Sequence, residues 1–300
     1  LLKWNQISKV VISMEGPGNK DNIILIIDGT NLIHRNYYVH SYSKTKSGIH
    51  TGGIYGTIRS LKSYINNYNP IQLYIAFDKS EHTFRNEIYP EYKMNRRDSD
   101  PKLLNQFPIL EEYCRLANIP FIEMDLYEAD DIIGSLSLHA KEYNLHPYVI
   151  SGDKDLLQLM DKGIDIIYLS NHGPVIYTED KFIEEYDIKP NQFIEYKALV
   201  GDPSDNIPGI PMVGKKTAAK LLGEYGTLKG IYENVDNIKG KLKERILEHK
   251  EDVFLFRELL TIRCDLNLNY DDSFMRYIEE GFALDNRRAK EFLNELEIRF

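Results

Sequence analysis

Three short apolar runs, each ending in an acid, constrain this chain more than any other feature. Ile23 to Ile27 leads into Asp28, Leu73 to Phe77 leads into Asp78, and Tyr148 to Ile150 leads through Ser151 and Gly152 to Asp153. A run that is apolar at every position, with no polar alternation, is what a strand buried on both faces of a parallel sheet requires. In open α/β sheets ligands bind outside the carboxyl ends of the strands, so an acid repeated there points to one crevice. A single Asp after a strand is ordinarily a turn residue or a helix cap. Three at the same strand end favour a site.

More acids stand at comparable points. Glu128, Asp130 and Asp131 open an amphipathic helical pattern that continues through Leu136 and Leu138. The helix dipole favours acids in a first turn but does not explain three of them in four residues. Asp153 and Asp155 straddle a strand-to-helix turn that Gly152 can relax, and Asp202 and Asp205 are spaced to share one face of a turn. So many carboxylates gathered by a fold would repel one another unless hard divalent cations lay between them. The chemistry that uses such a site is phosphoryl transfer with two metal ions, Mg²⁺ or Mn²⁺.

The net charge of −9 argues at first against nucleic acid as a partner. Setting aside the nine acids Asp28, Asp78, Glu128, Asp130, Asp131, Asp153, Asp155, Asp202 and Asp205 leaves 37 acids against 37 Lys and Arg, so the rest of the chain is formally neutral. Bound cations would reduce the charge of the site itself. Cys114 and Cys264 lie 150 residues apart without metal-ligand spacing and read as reduced core thiols. No apolar stretch reaches the length of a membrane span, and no membrane association is expected. Residues 1–21 read as a poorly ordered N-terminal extension, compatible with the remnant of an organelle-targeting peptide. An intracellular protein is expected: in the cytoplasm or nucleoid of a bacterium or phage-infected cell, or in a plastid or mitochondrion.

Asp28-Gly29-Thr30-Asn31, Glu128-Ala129-Asp130-Asp131, Gly152-Asp153-Lys154-Asp155 and Gly201-Asp202-Pro203-Ser204-Asp205-Asn206-Ile207-Pro208-Gly209, in that order and spacing, resemble the 5′-nuclease family over about residues 22 to 265. The family comprises flap endonucleases and 5′–3′ exonucleases, and the nearest type is the N-terminal exonuclease domain of bacterial DNA polymerase I. The resemblance implies an α/β fold, a mixed, mainly parallel sheet flanked by helices in a PIN-like core. It further implies a helical arch and a C-terminal helix-hairpin-helix (helix-three-turn-helix) region. The expected division is an α/β core over 22–180 with the arch at about 82–115, then a helical DNA-binding region over 181–300 with its hairpin at 202–222.

The resemblance also assigns roles. Asp28, Asp78, Glu128 and Asp130 would hold one metal, while Asp131, Asp153, Asp155, Asp202 and Asp205 hold or support a second. In the arch, where cations are interleaved with aromatics, Arg85, Tyr92, Lys93 and Arg96 would meet DNA, and Lys93 and Arg96 would reach the scissile phosphate. They are counted as catalytic together with Asp153 and Asp155. After the hairpin, Thr217 to Leu222 reads as a helix whose free N–H groups can receive a phosphate. Gly209, Gly214, Lys215, Lys216, Thr217 and Lys220 are the expected contacts with the duplex. In the family this hairpin commonly holds a monovalent cation such as K⁺, and Met212 stands where glycine is usual.

The implied activity is divalent-metal-dependent 5′–3′ exonuclease and 5′-flap endonuclease action on DNA in replication and repair. Substrates would carry a 5′ flap, a nick or a free 5′ end, RNA-primed ends included. A monomer that associates with a DNA polymerase or ligase is expected. Two rival readings are weaker. Gly209 and Gly214-Lys215 have the spacing of a phosphate-binding P-loop, but Lys216 stands where Ser or Thr is needed and no apolar strand precedes Gly209. A non-catalytic DNA-binding protein on the same scaffold would have no need to keep repelling carboxylates together.

Overall fold

Each of the three runs forms a strand, and each alternates its side chains between two separate cores. The computed structural model describes residues 22–80, 82–268, 277 and 279–300; the expected extension 1–21 lies outside them. Strands β1 (Ile23–Asp28), β2 (Gln72–Ala76) and β4 (His146–Ser151) lie parallel, with β3 (Phe121–Ile122) beyond β2 and β5 (Asp165–Ser170) beyond β4. A sixth strand, β6 (Gly173–Tyr177), pairs antiparallel with β5, giving the order β3-β2-β1-β4-β5-β6. The sheet is therefore mixed and mainly parallel. The two-residue β3 was not legible in the sequence, because so short a run has no period.

The pleat sorts the apolar runs. Ile24 and Ile26 of β1, Tyr74 and Ala76 of β2 and Val149 of β4 enter one core; Leu25 and Ile27, Leu73 and Ile75, and Tyr148 and Ile150 enter the other. Each fully buried Ile or Leu contributes about 1.5–3 kcal/mol, so both faces must be covered. Helices α1 (Gly29–Val39), α2 (Gly52–Tyr68) and α5 (Phe107–Leu116) cover the second core. The first is covered by α6 (Ala129–Glu142) and by the helices that follow the sheet. Asp28 continues the register of Ile24 and Ile26, so it emerges toward α6.

Between β2 and β3, where an arch is expected at 82–115, the chain forms short helices α3 (Phe84–Ile88) and α4 (Pro101–Leu104) and then α5, with turns between them. Lys93 has φ +58, which interrupts any continuous helix through the basic stretch. Beyond β6 come α7 (Glu179–Tyr186), α8 (Phe193–Val200), α9 (Lys215–Tyr225), α10 (Leu228–Glu233), α11 (Gly240–Glu248) and α12 (Lys250–Leu260). The last helix, α13 (Arg287–Glu295), returns to the α/β core, where Leu284, Ala289, Leu293 and Ile298 pack with the α2 and α5 side of the sheet.

One buried side chain ties α2 to the β2–β3 connection. Thr51 does not cap α2 with its side chain; instead Gln106 Oε1 accepts from Gly53 N at 2.8 Å and Ile54 N at 3.2 Å, while Gln106 Nε2 donates to Lys102 O at 3.0 Å. Replacing Gln106 with Ala leaves buried N–H groups without an acceptor, which costs about 1–3 kcal/mol. Urea unfolding of Gln106→Ala should show that loss, and an unchanged midpoint would discount the cap.

Candidate metal centre

The sheet order reverses between β1 and β4, and the acids gather above that point. Asp28 ends β1 and caps α1: its Oδ1 accepts from Asn31 N at 2.9 Å and its Oδ2 from Ser151 Oγ at 2.6 Å. Asp78, just past β2, accepts from Ala129 N at 2.8 Å, which holds the first turn of α6 against the strand ends. That turn supplies Glu128 and Asp130. Past β4, Ser151 Oγ accepts from Asp153 N at 2.9 Å and Asp153 Oδ1 accepts from Asp155 N at 2.8 Å, so the turn folds on its own side chains.

The 202–206 loop completes the crevice from the helical part of the chain. Oxygens of Asp155, Asp202 and Asp205 lie within 4.8 Å of one another, close enough to share one cation. All three offer hard oxygen donors, the chemistry that suits Mg²⁺, Mn²⁺ or Ca²⁺. The loop is held by Gly201 and Gly209, at φ +85 and +68; a Cβ on Gly209 would lie 2.4 Å from Gly201 N, so the two backbones approach as only glycine permits.

Burial and mutual repulsion leave their mark on these acids. Burial pushes the Asp28 carboxyl up to about 7, and Asp78 and Asp153 add to the rise despite the hydrogen bonds from Ser151 and Asn31. Asp130 is pushed well above the usual carboxylate range by burial, then by Asp153, Asp28 and Glu128. Burial also carries Asp155 up to about 6, with the Lys197 ammonium opposing. For Asp202 burial acts upward, but Lys197 and Ser204 prevail and hold it at about 2. Carboxyls that resist ionisation side by side are what a bound cation would relieve.

Cations of the chain face the same acids. Lys93 Nζ lies 2.7 Å from Glu128 Oε1, and Arg96 Nη2 lies 2.8 Å from Asp205 Oδ1. The turn carrying them is fastened to the 202–206 loop: Lys93 N donates to Asp205 O at 3.1 Å, Asn95 Nδ2 to Pro203 O at 2.6 Å, and Asn206 Nδ2 to Glu91 O at 2.7 Å. Lys197, on the last turn of α8, pairs with both Asp155 and Asp202. Lys197 was not legible as a site residue in the sequence. A Lys five residues before an acid has no spacing signal, and only the packing of α8 brings it to Asp155.

Burial sets three of the expected site residues apart from the rest. Asp131 is not among the acids that face the crevice: it is 0 % exposed, and both its oxygens are taken up by the Arg85 guanidinium at 2.7 and 2.8 Å. Arg85, expected to meet DNA, is 2 % exposed; it pairs with Asp131 and also lies 3.6 Å from Glu128 Oε2 at the floor of the crevice. Tyr92, another expected DNA contact, is 3 % exposed; its hydroxyl lies 3.3 Å from Glu128 Oε2 and 3.2 Å from Asp205 Oδ2, so it braces two acids from beneath. The sequence could not separate these from Lys93 and Arg96, because all belong to one basic, aromatic stretch and only packing turns each side chain in or out.

The hairpin follows the 202–206 loop and leads into α9. Gly214 precedes α9 in extended conformation, and Gly214, Lys215, Lys216 and Lys220 are exposed, with Thr217 half-buried and Gly209 buried. The helix is longer than the expected 217–222 and begins at Lys215. Met212 adopts φ +70, the left-handed region that favours glycine, with its side chain exposed.

Comparisons with known proteins agree with this architecture. The family profile of the 5′-3′ exonuclease N-terminal resolvase-like domain matches residues 23–187, and that of the 5′-3′ exonuclease C-terminal SAM fold matches residues 188–280. DNA polymerase I of Bacillus caldotenax is 39% identical over 254 residues, covering 83% of this chain and 29% of that protein. DNA polymerase I of Caldicellulosiruptor bescii is 38% identical over 280 residues, covering 92% of this chain and 32% of that protein. The chain thus spans about a third of the length of these polymerases. Among solved structures, a bacteriophage T5 flap endonuclease in a pseudo-enzyme–product complex with DNA and metal ions superposes with a TM-score of 0.69 at 22% identity, covering 91% of this chain and 99% of that one. The fold is shared, and the chain belongs to the 5′–3′ exonuclease family.

Proposed function

We propose that this chain hydrolyses DNA phosphodiesters as a divalent-metal-dependent 5′–3′ exonuclease and 5′-flap endonuclease. The observation that carries the reading is the meeting of Lys93 and Arg96 with Glu128 and Asp205 over one acidic crevice. Two phosphate-directed cations beside a cluster of carboxylates serve phosphodiester chemistry, whereas a binding module needs no such cluster. When bound, two Mg²⁺ or Mn²⁺ ions would lower the pKa of a water and neutralise charge on the phosphoryl group. Asp28, Glu128 and Asp130 on one side, and Asp153, Asp155, Asp202 and Asp205 on the other, are the residues that would hold them, with Asp78 beside the first group. Lys93 and Arg96 would turn from their carboxylates to the scissile phosphate and orient it. Lys215, Lys216 and Lys220, with the N-terminus of α9, would grip the duplex backbone.

The hairpin would hold K⁺ through its carbonyls, a role compatible with Met212 in the left-handed region that glycine favours. A 5′ flap, a nick or a free or RNA-primed 5′ end fits a crevice entered past Lys93 and Arg96. The DNA polymerases and ligases that create and seal such ends are the partners this activity implies. The reaction belongs where DNA is replicated and repaired, in the cytoplasm or nucleoid of a bacterium or phage-infected cell or in a DNA-containing organelle.

The direct test incubates the purified chain with 5′-flap, nicked and single-stranded DNA in Mg²⁺, Mn²⁺ or chelator. Cleavage of the flap should require metal and vanish in Asp153→Asn; cleavage that survives both would sink the reading. Lys93→Ala and Arg96→Ala should each lower the turnover rate by about 10²–10³-fold, the range for losing one oriented donor at a developing charge.

Stability should answer to pH and metal together. Asp28 holds its proton to higher pH in the folded chain than in the unfolded one, where its ordinary value is 3.8. Its contribution is therefore complete below that value and is lost as pH rises through about 7, a change of ~4 kcal/mol. Asp130 and Asp155 act in the same direction. Asp202 acts oppositely, because its depressed pKa gives stability that is lost as pH falls from 3.8 toward about 2. Denaturant unfolding of the chelated chain should show stability falling between about pH 4 and 7, with Mg²⁺ restoring it and Asp28→Asn flattening the slope. A profile that is flat with and without Mg²⁺ would contradict the crowding of these acids.

A further inference from the structure

Arg85 stands eight residues before Lys93 in the sequence, yet its guanidinium spends its donors entirely inside the protein. Nη1 donates to Asp131 Oδ2 at 2.7 Å and Nη2 to Asp131 Oδ1 at 2.8 Å; Nε donates to Leu259 O at 2.7 Å and Nη2 also to Thr261 O at 3.1 Å. Asp131 closes the circuit, accepting from Arg263 N at 2.8 Å and Glu128 N at 3.2 Å. Three segments far apart in sequence are thereby held at one point. They are α3, which leads to Lys93 and Arg96; the first turn of α6, with Glu128 and Asp130; and the end of α12 from the helical part of the chain.

Successive residues of a helix point about 100° apart. Asp130 lines the crevice with Glu128, Asp153 and Asp155, while its neighbour Asp131 turns into Arg85. A planar, two-point fork fixes orientation as well as distance, which a point charge does not. The fork thus sets the rotation of the first turn of α6 and the separation between that turn and the Lys93 segment.

We propose that Arg85 and Asp131 are a positioning pair for the reaction, touching neither metal nor DNA, which registers the phosphate-directed cations on the metal-holding acids and couples both to the end of α12. The proposal rests on the nuclease reading above. Asp131 is then a support for Glu128 and Asp130, and not a ligand.

The test compares Arg85→Lys, Asp131→Asn, their double variant and Asp130→Asn with the unaltered chain. Mn²⁺ bound per chain is measured by electron paramagnetic resonance, DNA binding in chelator, and cleavage of 5′-flap DNA under saturating enzyme. The first-order cleavage constant does not depend on how much protein is folded, so a merely structural defect would leave it unmoved. Arg85→Lys and Asp131→Asn should each lower that constant by about 10- to 100-fold, the usual cost of losing support behind a metal site. Mn²⁺ stoichiometry and DNA affinity should stay at the unaltered level, and the double variant should be no worse than the weaker single one. Asp130→Asn should lose a Mn²⁺. Loss of a Mn²⁺ from Asp131→Asn, or full-rate cleavage by Arg85→Lys, would overturn the pair. If the variants do not fold, crystals of the unaltered chain grown with Mn²⁺ decide: an ion bonded to Asp131 overturns the proposal, and ions on Asp130 and its neighbours with the Arg85 fork intact support it. An unaltered chain inert on every DNA overturns the nuclease reading and the pair with it, whereas an active chain with a silent Arg85→Lys overturns the pair alone.

Discussion

Repulsion among carboxylates above the carboxyl ends of β1 and β4 is the constraint around which the rest of this structure is arranged. Asp28, Asp130 and Asp155 are all pushed up by burial beside other acids. A fold that only had to be stable would not bring them together. Four devices hold the arrangement: hydrogen bonds from Ser151 and Asn31 on Asp28, the Ala129 N–H on Asp78, ammonium groups of Lys93 and Lys197 on Glu128 and on the Asp155–Asp202 pair, and the enclosed Arg85 on Asp131. Each places positive charge or a donor where it favours the charged carboxyl.

The same constraint explains why the two parts of the chain are closely joined. The crevice draws acids from the strand ends and from the 202–206 loop, and the loop is fastened to the 91–96 segment by backbone and side-chain hydrogen bonds. Arg85 adds a second fastening to α12, and the α6 side of the sheet shares one core with the helices beyond β6. Removing one partner of the enclosed Arg85–Asp131 pair would strand the other, at a cost of about 3–5 kcal/mol. Geometry at the acids and cohesion between the parts therefore rest on the same residues.

Much of this was legible in the chain itself. Short continuous apolar runs rich in β-branched residues read as strands covered on both faces, which puts the acids that follow them at the carboxyl edge of the sheet. The alternation of Ile24 and Ile26 with Leu25 and Ile27 between two cores is the physical content of that reading. The hairpin and its helix were visible from Pro, Gly and Lys, although α9 begins two residues earlier than expected.

By itself the sequence determined the central strands of the sheet, the strand ends at which acids stand and the family, because these depend on local apolar runs and on ordered motifs along the chain. Tertiary structure alone decided which charged side chains face the crevice. Asp130 and Asp131 are neighbours with the same chemistry, yet one joins the acids and the other is enclosed by Arg85; Tyr92 and Lys93 divide in a similar way. A helix rotates consecutive side chains by about 100°, and the partner that receives each comes from a distant segment, so no local pattern records the outcome. Lys197 is the same lesson in reverse: an unremarked lysine in sequence becomes the cation between Asp155 and Asp202 only when α8 packs beside the strand ends.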